Sequence, residues 1–89
     1  MQLSPDTVCV STKAQHRRAY QALPTFLREL REQAELSQRE LGDRVGRPQS
    51  WIHNCESRNR RVDVTEFTEW VRACGVKPEK AFAALLKRL

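Results

Sequence analysis

A short polar run in the middle of the chain carries side chains suited to reading another molecule by hydrogen bonding. Gln49, Ser50, His53 and Asn54 follow Pro48, which suits the first position of a helix. Ile52 would point to the opposite side of that helix, so that the polar side chains share an outer face. Glutamine and asparagine can pair bidentately with adenine in the DNA major groove. No carboxylate or nucleophile is placed to work with His53 as a catalyst.

Basic residues flank this polar run on both sides. The flanking arginines are Arg44, Arg47, Arg58, Arg60 and Arg61. Glu56 is the only acidic residue between the first and the last of them. Since phosphate contacts set the position and orientation of a protein on DNA, this arrangement favours a nucleic-acid ligand. The formal net charge of +5 points the same way.

Composition limits the alternatives. A chain of 89 residues has room for one compact domain. Cys9, Cys55 and Cys74 lack metal-ligand spacing, also when His16 and His53 are included, so we expect reduced thiols, no metal and no cofactor. We expect no enzyme, since paired carboxylates, nucleophile–base sets and phosphate-binding glycine loops are missing from the sequence. Without a membrane-length apolar run or a signal-peptide pattern, the expected location is cytoplasmic.

Helical periodicity begins near Lys13. An apolar stripe with three- and four-residue spacing predicts a first helix that ends near Gln33 or Ala34. Proline disfavours helix at the preceding residue and lacks a backbone donor, so we expect a break or kink, with Pro24 or Thr25 opening the main helix. Residues 1–12 show no helical period. They are expected to form a mobile tail or a short strand that pairs with its copy in a second subunit.

Two capping boxes mark later helix starts: Ser37 with Glu40, and Asp63 with Glu66. After the first of them, Gly42 is expected to allow a close helix crossing. Gly46 would supply the positive φ of a tight turn before Pro48. The second box precedes an apolar stripe of Val64, Phe67, Trp70, Val71 and Cys74. A last helix from Pro78 would carry Phe82, Leu85, Leu86 and Leu89 on one face, part of which could meet a second subunit.

These segments together resemble the phage-repressor-like helix-turn-helix family, of the Cro/repressor or xenobiotic-response-element type. The resemblance covers residues 27–76. It is carried by Leu-Arg-Glu-Leu-Arg at 27–31, Leu-Ser-Gln-Arg-Glu-Leu-Gly at 36–42 and Val-Gly-Arg-Pro-Gln-Ser-Trp-Ile at 45–52. Glu56, Arg60-Arg61 and Cys-Gly-Val at 74–76 fall at the expected spacing too. Each piece is weak alone, whereas all of them in order are specific.

The resemblance implies a compact all-α domain of about five helices over residues 13–89, with the helix-turn-helix motif at 37–57. The helix at 48–57 would lie in the major groove and read bases. The expected base contacts are Gln49, Ser50, His53 and Asn54. The expected phosphate contacts are Gln38, Arg39, Arg47, Trp51, Arg58, Asn59, Arg60 and Arg61.

The sequence departs from the family pattern at three places. Arg58 stands where many members have glycine. A positive φ at this arginine would cost about 1–2 kcal/mol, unless Asn59 takes that conformation instead. Cys55 replaces a larger apolar residue, and Val62 replaces a proline.

The expected function is sequence-specific DNA binding by a transcriptional regulator. The motif favours a repressor that binds double-stranded DNA as a homodimer. The alternative is an antitoxin-type interaction module, which would neutralise a toxin partner and also bind DNA. Another regulator could serve as the protein partner instead, and no membrane partner is expected.

Overall fold

The computed structural model describes the backbone of residues 13–89 and the side chains of residues 21–89. Within residues 13–89 the chain forms five helices and no strand, which confirms the predicted all-α fold. The helices are α1 (Lys13–Gln33), α2 (Gln38–Val45), α3 (Gln49–Glu56), α4 (Val64–Ala73) and α5 (Pro78–Leu86). The tail or pairing strand predicted for residues 1–12 lies outside the described residues. None of the described helices is long and apolar enough to cross a membrane.

The first helix runs without interruption through Pro24, so the break predicted there is wrong. A proline inside a helix removes one backbone hydrogen bond and costs about 3 kcal/mol. Here Pro24 itself is buried, together with Phe26 and Leu27 beside it. Burial of this continuous face offsets the lost hydrogen bond. The predicted end of the helix near Gln33 is confirmed.

The core gathers apolar side chains from all five helices. Trp70 lies at its centre, fully buried, and its indole Nε1–H donates to the Leu27 carbonyl at 3.1 Å. This bond satisfies the indole donor, which would otherwise be costly to bury. Leu41 of α2 and Ile52 of α3 are also fully buried. They pack the two motif helices onto a common core, and so fix the direction in which α3 presents its outer face.

The turn between α2 and α3 depends on two glycines. A Cβ at Gly42 would lie 2.5 Å from the Arg47 carbonyl oxygen, so only glycine fits there. The prediction that this residue must be small is confirmed, although the close neighbour is the turn backbone and not a residue of the crossing helix. Gly46 ends α2 with φ at 73°, in the left-handed region, as predicted.

Both predicted capping boxes are present, at Ser37 with Glu40 and at Asp63 with Glu66. Val64 was predicted to join the buried stripe of α4, and this is wrong, since the residue is 81% exposed. It directly follows the cap residue, so its side chain faces outward. The buried residues of the helix begin at Glu66, and the buried apolar ones at Phe67.

The last helix has a buried side and an exposed apolar side. Ala81 and Leu85 are buried, whereas Phe82 and Leu86 are each more than half exposed, as is Leu89 beyond the end of the helix. The prediction that Leu85 shares one face with these three residues is therefore wrong. The helix begins at Pro78, as predicted. Just beyond its end, Arg88 donates to Glu29 of α1 at 2.5 Å and ties the last turn to the first helix.

Candidate nucleic-acid interface

The third helix corresponds to the helix that the sequence predicted at 48–57, with bounds one residue shorter at each end. Pro48 is its N-cap and not its first residue, because ψ of 158° is extended. The carbonyl of Pro48 nonetheless accepts from the Trp51 N–H at 3.0 Å, which starts the helix. Ile52 and Cys55 are buried on the inner side, as predicted. The opposite side of α3 is therefore turned away from the core.

The residues predicted to contact bases lie together on this outer side. Gln49, Ser50 and His53 are exposed, and Asn54 is half-buried. The carbonyl of Asn54 accepts backbone N–H groups from Asn59 at 2.9 Å and Arg60 at 3.3 Å. These two bonds hold the loop that follows α3 against the backbone at the end of the helix. Residues with this spacing share one helix face, which can enter a groove as a unit.

A chain of hydrogen bonds connects this face to the interior. The Gln49 Nε2–H donates to Oε1 of Gln38 at 3.4 Å, and Gln38 Nε2–H donates to Glu56 at 3.1 Å. Gln38 was predicted to contact phosphate, and the structure places it half-buried between the helix ends. Gln38 thereby links the start of α2 to both ends of α3.

Glu56 forms a buried ion pair that sequence reasoning did not identify. Its carboxylate accepts from Nε–H of Arg31 at 2.6 Å and from a terminal N–H of Arg31 at 3.1 Å. The side chains are 5% and 12% exposed, respectively. Arg31 also donates to the Leu36 carbonyl at 2.8 Å, and the pairing with Glu56 raises the pKa of its guanidinium. The pair fixes the end of α3 to α1.

A second arginine–glutamate pair joins the loop after α3 to the start of α4, beside Trp51. Arg60, predicted to contact phosphate, donates to both oxygens of Glu66, at 3.0 and 3.2 Å. The guanidiniums of Arg60 and Arg47 lie over the ring of Trp51, 4.9 and 4.6 Å from its centroid. Sequence reasoning identified Glu66 only as a capping residue. The signal it offered was a carboxylate a few residues after an arginine cluster.

The remaining predicted phosphate contacts surround α3 without forming one cluster. Arg39 is exposed on α2, whereas Arg58, Asn59 and Arg61 are exposed in the loop after α3. Arg58 itself takes the left-handed conformation with φ at 68°, and Asn59 does not relieve it. The loop therefore takes a shape that favours glycine at residue 58, at a cost in strain.

Arg44 belongs to the basic cluster in the sequence, but in the structure it contacts the end of α4. Its guanidinium donates to the Ala73 carbonyl at 2.9 Å. That carbonyl ends α4, where helix carbonyls lack partners and the helix dipole favours a cation. Arg44 therefore ties α2 to the end of α4.

The cysteines of the described region belong to the core. Cys55 and Cys74 are buried and unpaired. Burial raises the pKa of both thiols, that of Cys74 to about 11, so both stay protonated near neutral pH. Among the described side chains, 21–89, no group of histidine, cysteine and carboxylate residues could hold a metal ion.

Comparisons with known proteins agree with this geometry. A family model of a helix-turn-helix domain matches residues 22–85. Among solved structures, the chain is similar to an XRE-family like protein from Pseudomonas syringae pv. tomato str. DC3000, with 40% identity and a TM-score of 0.77. That match covers 84% of this chain and 92% of the other. No match was found among curated proteins. The chain belongs to the XRE-type helix-turn-helix DNA-binding family.

Proposed function

We propose that the protein is a sequence-specific transcriptional regulator that represses by occupying DNA, with α3 in the major groove. One observation carries the proposal. The outer face of α3 presents Gln49, Ser50 and His53 to solvent, whereas Ile52 and Cys55 on the opposite side are buried in the core. Side chains of this kind can distinguish base pairs by the pattern of donors and acceptors in the major groove. Repression needs no surface beyond this one, since occlusion of a promoter requires only occupancy.

Specific readout is tested by selecting binding sites from random duplex DNA. The wild type is compared with a variant that carries Gln49→Ala and Asn54→Ala. Thr65→Ala is the control, because Thr65 is an exposed polar residue that belongs to α4 and not to α3. We expect the wild type and the control to enrich one motif and the double variant to lose it. Enrichment of no motif by the wild type would contradict specific readout and point to the antitoxin-type alternative.

The phosphate contacts are supported by the charge distribution around α3. Arg39, Arg58 and Arg61 are exposed on the elements that flank the helix. Each neutralised phosphate adds about −0.9 to the slope of log affinity against log salt concentration. We expect Arg61→Ala to weaken binding to all sequences alike and to reduce this slope by about one unit. Lys80→Ala removes one positive charge from an exposed position on α5, and it should leave the slope unchanged.

A dimer is supported by an exposed apolar surface formed by α5 and the residues that follow it. Phe82, Leu86 and Leu89 are more than half exposed, and Leu89 also borders a groove with Leu23 and Val62. A two-fold dimer would bring two copies of α3 onto half-sites about 34–36 Å apart. Sedimentation of wild type and of Phe82→Ser tests this. Loss of the dimer in the variant, with a palindromic selected motif, is the expected result; a monomeric wild type that selects a single half-site would contradict it.

A further inference from the structure

The side chain of Trp51 supports two arginines that come from opposite ends of the recognition helix. Arg47 belongs to the turn before α3, and Arg60 belongs to the loop after it. Their guanidiniums lie 4.6 and 4.9 Å from the centroid of the indole ring. A guanidinium over a tryptophan face is attracted by the ring quadrupole and stacks on it. Both cations are thus held close together beside α3.

The carboxylate of Glu66 pairs with the same two arginines. Its carboxylate forms a bidentate pair with Arg60 at 3.0 and 3.2 Å, and a terminal nitrogen of Arg47 lies 3.9 Å from one of its oxygens. The Asp63 N–H also donates to the carboxylate at 3.0 Å, which fixes its orientation at the start of α4. Hydrogen bonds from Arg60 keep the pKa of Glu66 below its ordinary value, so the group is ionised at neutral pH.

The cluster keeps a net positive charge and an exposed side. Two guanidiniums face one carboxylate, and a guanidinium offers more N–H donors than that carboxylate can accept. The Glu66 side chain is 11% exposed, whereas those of Arg60 and Arg47 are 35% and 41% exposed. The anion is therefore covered, and the unused donors of the cations reach solvent next to the outer face of α3.

We propose that Glu66 is a positioning residue for DNA binding, which presets Arg47 and Arg60 against Trp51 as a pair that binds the phosphate backbone. This inference rests on the proposed function, since it assigns a role within the same interface. Long arginine side chains lose rotamer entropy when they bind. Here that ordering is already present before DNA arrives, because the carboxylate and the indole ring hold both guanidiniums. The N–H donors that the carboxylate leaves unused can then form charge-assisted hydrogen bonds to phosphate without further ordering of the side chains.

The proposal predicts the opposite of simple charge arithmetic. Glu66 is an anion next to the site of a polyanion, so its removal alone should strengthen DNA binding. If Glu66 positions the arginines, its removal weakens binding. Glu66→Gln separates these outcomes, because a glutamine can keep the hydrogen bond to the Asp63 N–H in a capping box. Its amide group, however, cannot accept both N–H groups of Arg60.

The experiment measures affinity for the selected duplex over a range of salt concentrations, with Glu40→Gln as the matched control. Glu40 holds the same place in the first capping box and accepts from Ser37, but no arginine hydrogen bond to it is seen among the described residues. We expect Glu66→Gln to weaken binding on the order of tenfold, equivalent to one charge-assisted hydrogen bond. The salt slope should also fall by about one unit. Glu40→Gln should bind as the wild type does or more tightly.

Two further variants keep the test decisive. Arg60→Lys preserves the charge but loses the bidentate pair and the stacking on Trp51, so binding should weaken although the net charge is unchanged. In an Arg60→Ala background, Glu66→Gln should add little, since residues that act through one another are not additive. Thermal denaturation checks that each variant is folded at the assay temperature. Equal or tighter binding by Glu66→Gln and by Arg60→Lys would overturn the positioning role alone. A wild type that binds no duplex would overturn the proposed function, and this role with it.

Discussion

The two ends of the recognition helix are held in place by different means. At its beginning, the turn from α2 relies on backbone: Gly46 supplies the positive φ, and the Arg47 N–H donates to the Gly42 carbonyl at 2.8 Å. At its end, the loop of residues 57–62 contains no glycine, and Arg58 takes positive φ at a cost. Side chains compensate there, since Glu56 and Arg60 each form a bidentate ion pair.

This difference separates local from long-range determination of structure. The turn is specified by residues that are neighbours in the sequence. The loop is specified by partners on α1 and α4, which the fold must bring together first. Changes at the turn should therefore act through backbone fit, and changes at the loop through the loss of distant partners.

The largest expected effect on stability is at the ion pair of Arg31 with Glu56, which holds the end of α3 next to the loop. Removing the Glu56 carboxylate leaves Arg31 as a buried cation without its counter-ion, and breaking such a pair costs about 3–5 kcal/mol. A domain of this size has only about 5–10 kcal/mol of stability. We therefore expect Glu56→Ala to lower the free energy of unfolding, measured by urea denaturation, by about half.

The exposed pair of Arg28 and Glu32 provides the control. Both side chains are largely solvent-exposed, so Glu32→Ala should cost less than about 1 kcal/mol. Replacing the whole buried pair, with Arg31→Met and Glu56→Leu, should recover much of the loss, because no unpaired charge remains. If Glu56→Ala were as mild as Glu32→Ala, the loop end would not depend on its long-range pair.

The next largest effect is expected at the turn end. In Gly42→Ala the new Cβ would lie 2.5 Å from the Arg47 carbonyl oxygen, a backbone atom that cannot move without shifting the start of α3. Overpacking of this kind costs about 1–3 kcal/mol. Gly46→Ala is the comparison, because nothing lies within 4 Å of its Cβ and only the φ of 73° is strained. Urea denaturation that ranks Gly46→Ala above Gly42→Ala in cost would contradict steric control of this turn.

The same contrast explains what the sequence could and could not predict. Capping boxes and glycine positions predicted the starts of α2 and α4, the turn and the outer face of α3, because these features depend on near neighbours, whereas the count of about five helices came from the family resemblance. The pairing of Arg31 with Glu56 spans residues on different helices, so no local pattern indicated it. The continuous helix through Pro24 was missed for a related reason. A local preference against helix was overcome by burial of side chains that only the tertiary fold brings together.

A smaller effect is expected when the loop receives a glycine at its positive-φ position, as the turn already has at Gly46. Arg58 has φ at 68°, which costs a non-glycine residue about 1–2 kcal/mol. Glycine adopts this conformation readily but loses more entropy on folding, so Arg58→Gly should gain about 1 kcal/mol. The melting temperature would then rise by about 4–8 °C. Arg58→Ala is the control and should leave the strain in place; equal gains from both variants would show that the strain is not the cause.

The smallest expected effect is the acid sensitivity of the outer pair. The Arg60 guanidinium and the Asp63 N–H lower the pKa of Glu66 from its ordinary value of 4.5. A carboxylate with a lowered pKa in the folded state stabilises the fold above its unfolded pKa, and this stability is lost as the pH falls through the folded pKa. The difference in melting temperature between wild type and Glu66→Gln should therefore be full near neutral pH and should shrink below about pH 4.5.

Arg60→Ala should narrow the same acid-dependent difference, since it removes the largest cause of the lowered pKa of Glu66. Because Glu29 and Glu40 also have lowered pKa values, the wild type loses stability in acid in any case. A gap between wild type and Glu66→Gln that persisted unchanged into acid would show that the loop end does not depend on the charge of Glu66.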